Sequence, residues 1–210
     1  MKLISQITLN FFLLTFALLS WADEPNFETS SADIIKQLSK PVTKVKFRSL
    51  NSNKNPKIQP EKLTRGLIRV KLADPAANLG TRKMIEERAD VPMQESQAHV
   101  NLKVEFDAGS FIIRASSYGV LNELSIALQD PKLLQLQFYV NGHTDSDGEQ
   151  HANLKLSLNR ALAVKQYLIE HSQIAPERLS VLGYGESIPL VNNVSAYNKQ
   201  LNRRVEIVVK

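Results

Sequence analysis

Gly142-His143-Thr144-Asp145-Ser146-Asp147-Gly148, followed by the run from Glu149 to His171, decides how this 210-residue chain folds. The seven-residue stretch is polar and flanked by glycines, the composition of a turn. The run behind it is helical in period. At ~100° per residue, Leu158, Ala161, Leu162, Leu168 and Ile169 fall on one arc, which is expected to pack on a sheet. Asn153, Ser157 and Arg160 form a narrow polar stripe along the border of that arc, where neighbours restrain the rotamers and water still reaches them. The stripe begins beside the turn that carries Asp145. A fixed anion and a fixed cation at the mouth of one helix make a receptor for a ligand bearing both charges.

Before the turn, Val100, Leu102, Val104 and Phe106 alternate with polar residues, the signature of a half-buried strand. Ile113 to Leu128 reads as a helix with Leu121, Leu124, Ala127 and Leu128 inward, weakened by Gly119 and stopped by Asp130-Pro131. Leu136 to Val140 reads as a strand ended by Asn141-Gly142, so that a helical crossover joins two strands of one sheet. After the long helix come a short strand at Leu179 to Leu182, a turn at Gly183-Tyr184-Gly185-Glu186 and a last strand at Arg204 to Val209. The element order is strand, helix, strand, helix, strand, strand.

Upstream of this unit the texture changes. Pro25, Pro41, Pro56, Pro60, Pro75 and Pro92 interrupt the chain too often for a second full domain. A short helix fits Ala32 to Leu38, with Ser31 as cap, and a strand fits Leu67 to Leu72. Residues 1–22 read as a secretory signal: Lys2, an apolar stretch from Leu3 to Leu19, then Ser20-Trp21-Ala22. The rival reading is an uncleaved membrane anchor, since a spanning helix needs about 20 residues. Residues 23–95 form a basic, Pro-interrupted tether and residues 96–210 the globular domain.

The formal charge of +5 suggests nucleic acid only until it is divided along the chain. Residues 23–94 hold 14 basic and 9 acidic side chains, whereas residues 95–210 hold 11 and 12. The globular part is near neutral, and no nucleic-acid partner is expected. Between Lys36 and Lys71, 11 basic residues face only Glu61. That run fits a solvated tether, or attraction to anionic lipid or wall polymer. With 0 cysteines the chain forms no disulfide and carries no lipidated cysteine.

From Val100 to Lys210 the ordered motifs resemble the OmpA-like (OmpA/MotB C-terminal) peptidoglycan-binding domain. The resemblance is carried by Phe106-Asp107 with Ser110, by Gly142-His143-Thr144-Asp145 with Gly148, and by Asn153 with Leu156-Ser157. Arg160-Ala161, Arg178-Leu179, Gly183-Tyr184-Gly185-Glu186-Ser187 and Asn202-Arg203-Arg204-Val205-Glu206 complete it. It implies an α/β (α+β) fold, β-α-β-α-β-β, with a mixed sheet and helices packed on one face. It also implies non-enzymatic binding of the diaminopimelate in peptidoglycan stem peptides, in the periplasm and with an association to the outer membrane. Asp145 would hold the ligand's ammonium and Arg160 its carboxylate, with Asn153, Arg203 and Thr144 completing the pocket. The alternative is a scaffold subunit of an envelope machine, a motor or secretion system, docked to an envelope protein through residues 23–95.

Other chemistries fit the residues poorly. His143 with His151 or Asp145 lacks a third metal ligand at a known spacing, so His143 is expected to be a structural hydrogen-bonding residue. Asp145-Ser146-Asp147-Gly148 has its Gly at the fourth position and no Glu at the twelfth, which excludes a calcium loop. No cofactor, no metal and no catalytic residue is expected, and a wall hydrolase is disfavoured. Arg203 fits ligand contact and structural pairing equally, Arg204 is expected to be structural, and Tyr184 belongs to the core.

Overall fold

A computed structural model describes residues 25, 27–41, 66–72, 84–90 and 97–210. The expected signal segment and the centre of the basic stretch lie outside the described residues. The elements are α1 (Ser31–Leu38), β1 (Gly66–Leu72), β2 (Met84–Asp90), β3 (His99–Leu102), α2 (Tyr118–Leu128), β4 (Phe138–His143), α3 (Gln150–Ser172), β5 (Leu179–Gly185), α4 (Ala196–Asn202) and β6 (Val205–Val209). The fold is α/β, with the expected strand and helix order after residue 96, and with two elements the sequence reading did not assign, the short helix α4 and the strand β2.

The strands form one mixed sheet in the order β2-β1-β5-β4-β6-β3 among the described residues. β4 and β5 are parallel neighbours across α3, while β6 runs antiparallel to both β4 and β3. β3 and β4 thus share a sheet and a direction, as a helical crossover requires, but β6 is inserted between them. The upstream strand expected at Leu67 to Leu72 is present as β1; it pairs with β2 and touches β5 through Val70 and Lys71.

Phe138, Val140, Val205 and Ile207 of the central strands meet Leu121, Leu124 and Leu128 of α2 and Leu154, Leu158 and Leu168 of α3 in one core. α1 joins this core: Ile34 and Leu38 are buried against α2 and β3. Each such side chain contributes about 1.5–3 kcal/mol. Part of the segment expected to be a tether therefore packs on the globular unit. Its cap is Ser30 rather than Ser31, with Oγ accepting from Asp33 N at 3.2 Å.

Several boundaries differ from the sequence reading, each for a local reason. β3 stops at Leu102, and Phe106 instead bridges Ile113 around a tight loop in which Gly109 has φ +62°. Ile113 is held in that bridge and Arg114 is extended, so α2 begins only at Tyr118. β4 does not end at Asn141-Gly142, and β5 runs through Gly183-Tyr184-Gly185; both stretches look like turns and are strand. Their glycines serve helix approach. A Cβ on Gly183 would lie 2.7 Å from Leu158 N and 2.8 Å from Leu154 O. Arg178 closes the far end, donating to the carbonyls of Leu128, Leu133 and Leu136 at 2.8–3.0 Å and so satisfying the end of α2 and the loop after it.

Candidate functional site

The polar stripe of α3 is buried rather than at the border of its apolar arc: Asn153 and Arg160 are nearly covered and Ser157 is 0 % exposed. The tight glycine contacts draw the helix so close to the sheet that this stripe faces the strand ends. Ser157 Oγ donates to Leu154 O and accepts from Gly185 N, both at 2.9 Å, which locks the start of α3 to the end of β5.

At those strand ends, a cavity of about 580 Å³ opens between the loop after β3, the turn after β4, α3 and the end of α4. Thr144, Asp145, Asn153, Arg160 and Arg203 all line it. The five residues singled out from sequence are thus brought together at one site.

Their engagements differ. Asp145 Oδ1 accepts the backbone N–H of Asp147 at 3.1 Å, and Oδ2 accepts from Arg203 Nη1 at 2.5 Å. Asn153 is a clamp: its Nδ2 donates to Asp147 O at 3.0 Å, to Glu186 Oε2 at 2.7 Å and, more loosely, to Asp145 O at 3.4 Å. It fixes the turn that carries Asp145. Thr144 N donates to Gly185 O at 2.9 Å, whereas its buried Oγ1 has no hydrogen-bond partner among the described residues.

Arg160 donates from Nε to Ser110 O at 3.0 Å, and its guanidinium lies over the Phe106 ring at 4.9 Å. No carboxylate pairs with it among the described residues. Burial disfavours its charged form, and the nearby Arg203 does so further, while Asp145 opposes both; the result is a lowered pKa. An arginine nevertheless stays a cation. Phe106, the Ser110 carbonyl and Glu186 hold Arg160 and Asn153 in place, a role the sequence reading did not assign, although all three stand in motifs it quoted.

Next in sequence to Thr144 and Arg203, His143 and Arg204 are buried, and Glu206 is partly buried beside them. Arg204 is structural, as expected, donating to Asn101 Oδ1 at 2.9 Å and to Ile188 O. His143 corrects the expectation of a hydrogen-bonding residue: its ring nitrogens make no hydrogen bond among the described residues. The ring stacks on Tyr184, with centroids 5.5 Å apart, and Nε2 lies 3.5 Å from Glu206 Oε2. Burial and the charge of Arg204 push the His143 pKa down to about 4, against the pull of Glu206. Burial alone would raise Glu206; contact with His143, the Asn141 amide and the Arg204 charge instead bring it to about 2. Among the described residues no group of three or more acidic or histidine side chains is placed to hold a metal ion.

Residues 105–203 match the OmpA family model. Outer membrane porin F of Pseudomonas fluorescens is 38% identical over 111 residues, covering 53% of this chain and 33% of the porin. The peptidoglycan-binding protein ArfA of Mycobacterium tuberculosis is 33% identical over 101 residues, covering 48% of this chain and 30% of that protein. The chain thus spans about a third of the length of these curated relatives. Among solved structures, the cell wall anchor of the T6SS from Pseudomonas aeruginosa is 29% identical, covering 53% of this chain and 79% of that one, with a TM-score of 0.46.

Proposed function

We propose that this chain, whose residues 105–203 match the OmpA family model, binds peptidoglycan non-covalently and links an envelope component to the cell wall. The ligand group is the free amino-acid end of diaminopimelate in a stem peptide. One observation carries the reading: a buried guanidinium with no carboxylate partner among the described residues, Arg160, lines the same cavity as the carboxylate of Asp145.

The chemistry follows from charge. A buried cation without a counter-ion is costly, so a carboxylate brought to Arg160 is worth more than it would be in water. Asp145 is an acceptor fixed in place by its own turn and suits the neighbouring ammonium. Phe106 under the guanidinium and the Ser110 carbonyl on Nε hold the fork in orientation. The site grips its ligand without attacking it. Each charge-assisted bond contributes about 1.5–3 kcal/mol, so single attachments are weak, and repeated stem peptides in the wall supply the holding strength. The chain works in the periplasm, reached through the signal at residues 1–22, close to the outer membrane.

Co-sedimentation with purified sacculi tests this. Asp145→Ala and Arg160→Ala should each reduce binding by at least about tenfold, the loss of one charge-assisted contact, with unchanged far-UV circular dichroism. Retained binding by both folded variants removes the assignment.

A further inference from the structure

Of the three arginines Arg160, Arg203 and Arg204, Arg203 is the least fastened. Its guanidinium makes one hydrogen bond among the described residues, to Asp145 Oδ2. The Arg203 side chain is 43% exposed and that of Asp145 only 11%. Arg160, by contrast, is held by a carbonyl and a ring, and Arg204 by Asn101 and Ile188. A long, half-solvated arm therefore neutralises a nearly buried carboxylate.

The other charges lining the cavity are matched. Arg114 pairs with Asp107 at 3.0 Å, Lys103 with Glu105 at 3.6 Å and Lys199 with Asp147 at 2.7 Å. Asp145, Arg160 and Arg203 remain, two cations for one anion, and the two guanidinia are near enough for Arg203 to depress the Arg160 pKa. The charge complement of such a triad is one ammonium and one carboxylate.

We propose that Arg203 is an exchangeable counter-ion that sets the specificity of the site: it holds Asp145 until a ligand ammonium replaces it, then turns to the ligand carboxylate beside Arg160. This rests on the binding function proposed above. A ligand with only an ammonium would displace Arg203 and leave two guanidinia facing each other without an anion. A ligand with only a carboxylate would meet Arg160 alone, with Arg203 still on Asp145. Only a zwitterion keeps every charge matched through the exchange, so selectivity resides in Arg203 as well as in the two residues that grip the ligand.

Isothermal titration of the full chain and of Arg203→Gln with three probes tests this: a muropeptide with free diaminopimelate, the same peptide with that carboxyl amidated, and the same peptide with that amine acetylated. In the unaltered chain the free form should bind best. In Arg203→Gln the preference for the free over the amidated form should shrink by about tenfold, the free form weakening and the amidated form gaining. Equal weakening toward both, or no change toward either, overturns the proposal and leaves peptidoglycan binding intact. No binding of any probe by the unaltered chain overturns the binding function itself, and this inference with it. As an independent readout, the side-chain 15N signals of Arg203 should move with the free and amidated probes and stay in place with the acetylated one. Equal movement with all three contradicts the exchange.

Discussion

Gly142 on β4 lies against the backbone of Ser157 on α3: a Cβ placed there would come within 1.9 Å of Ser157 O and 2.7 Å of its carbonyl carbon. That clash is with backbone, which cannot swing aside. Gly142 therefore sets how near the helix stands to the strand ends, and Arg160, almost one turn beyond Ser157, inherits its place over the cavity from this contact.

Gly142→Ala should accordingly destabilise the protein by about 3 kcal/mol or more, since overpacking against a fixed neighbour forces strand and helix apart. Gly119→Ala on α2, with nothing within 4 Å of the added methyl, should be neutral or stabilise by up to about 1 kcal/mol. Urea denaturation of both variants reads the contrast. A Gly142→Ala midpoint equal to that of the unaltered chain would contradict the contact.

Acid should weaken the fold through His143 and its neighbour Glu206. The folded His143 pKa of about 4 lies below its ordinary 6.5, so the unfolded chain takes up this proton first as pH falls. Stability is retained above 6.5 and lost between about 6.5 and 4, at up to about 1.4 kcal/mol per pH unit. Glu206, at about 2 against an ordinary 4.5, extends the loss below 4.5. His143→Phe keeps a ring against Tyr184 and removes the first window. Its urea midpoint should fall less than that of the unaltered chain between pH 6.5 and 4.5, and parallel curves would refute the role of His143.

Leu38→Ala should cost about 2–5 kcal/mol, the price of a cavity under α1, whereas Lys36→Ala on the exposed face should stay within about 0.5 kcal/mol. Thermal melting of the two variants separates them. Equal melting temperatures would mean that α1 does not contribute to the core.

The centre of this fold is legible because one long helix carries two messages at once. The apolar arc at Leu158, Ala161 and Leu162 announces packing on a sheet, and the Asn153, Ser157 and Arg160 stripe points at the turn of Asp145. Strand ends are misread because Asn141-Gly142 and Gly183-Tyr184-Gly185 have the composition of turns. Only the nearness of α3, a tertiary fact, explains why glycine stands inside a strand. The same nearness buries Ser157 completely, which a helical projection cannot reveal. α4 is seven residues long, too short for periodicity, and only its cap, Ser195 Oγ accepting from Asn198 N at 3.1 Å, betrays it. The Arg203 to Asp145 pairing joins residues 58 apart and depends on which way an exposed arm turns.

The backbone N–H of Glu28 donates to Asn101 O on β3 at 3.2 Å, and β1 lies along β5 at the opposite side. Both margins of the four strands β3-β6-β4-β5 are thus met by chain from upstream of residue 96. A fragment cut at that point would present bare amide and carbonyl groups on two sides, an invitation to strand-by-strand self-association. The leading segment is, in this respect, a built-in guard on the solubility of the domain behind it.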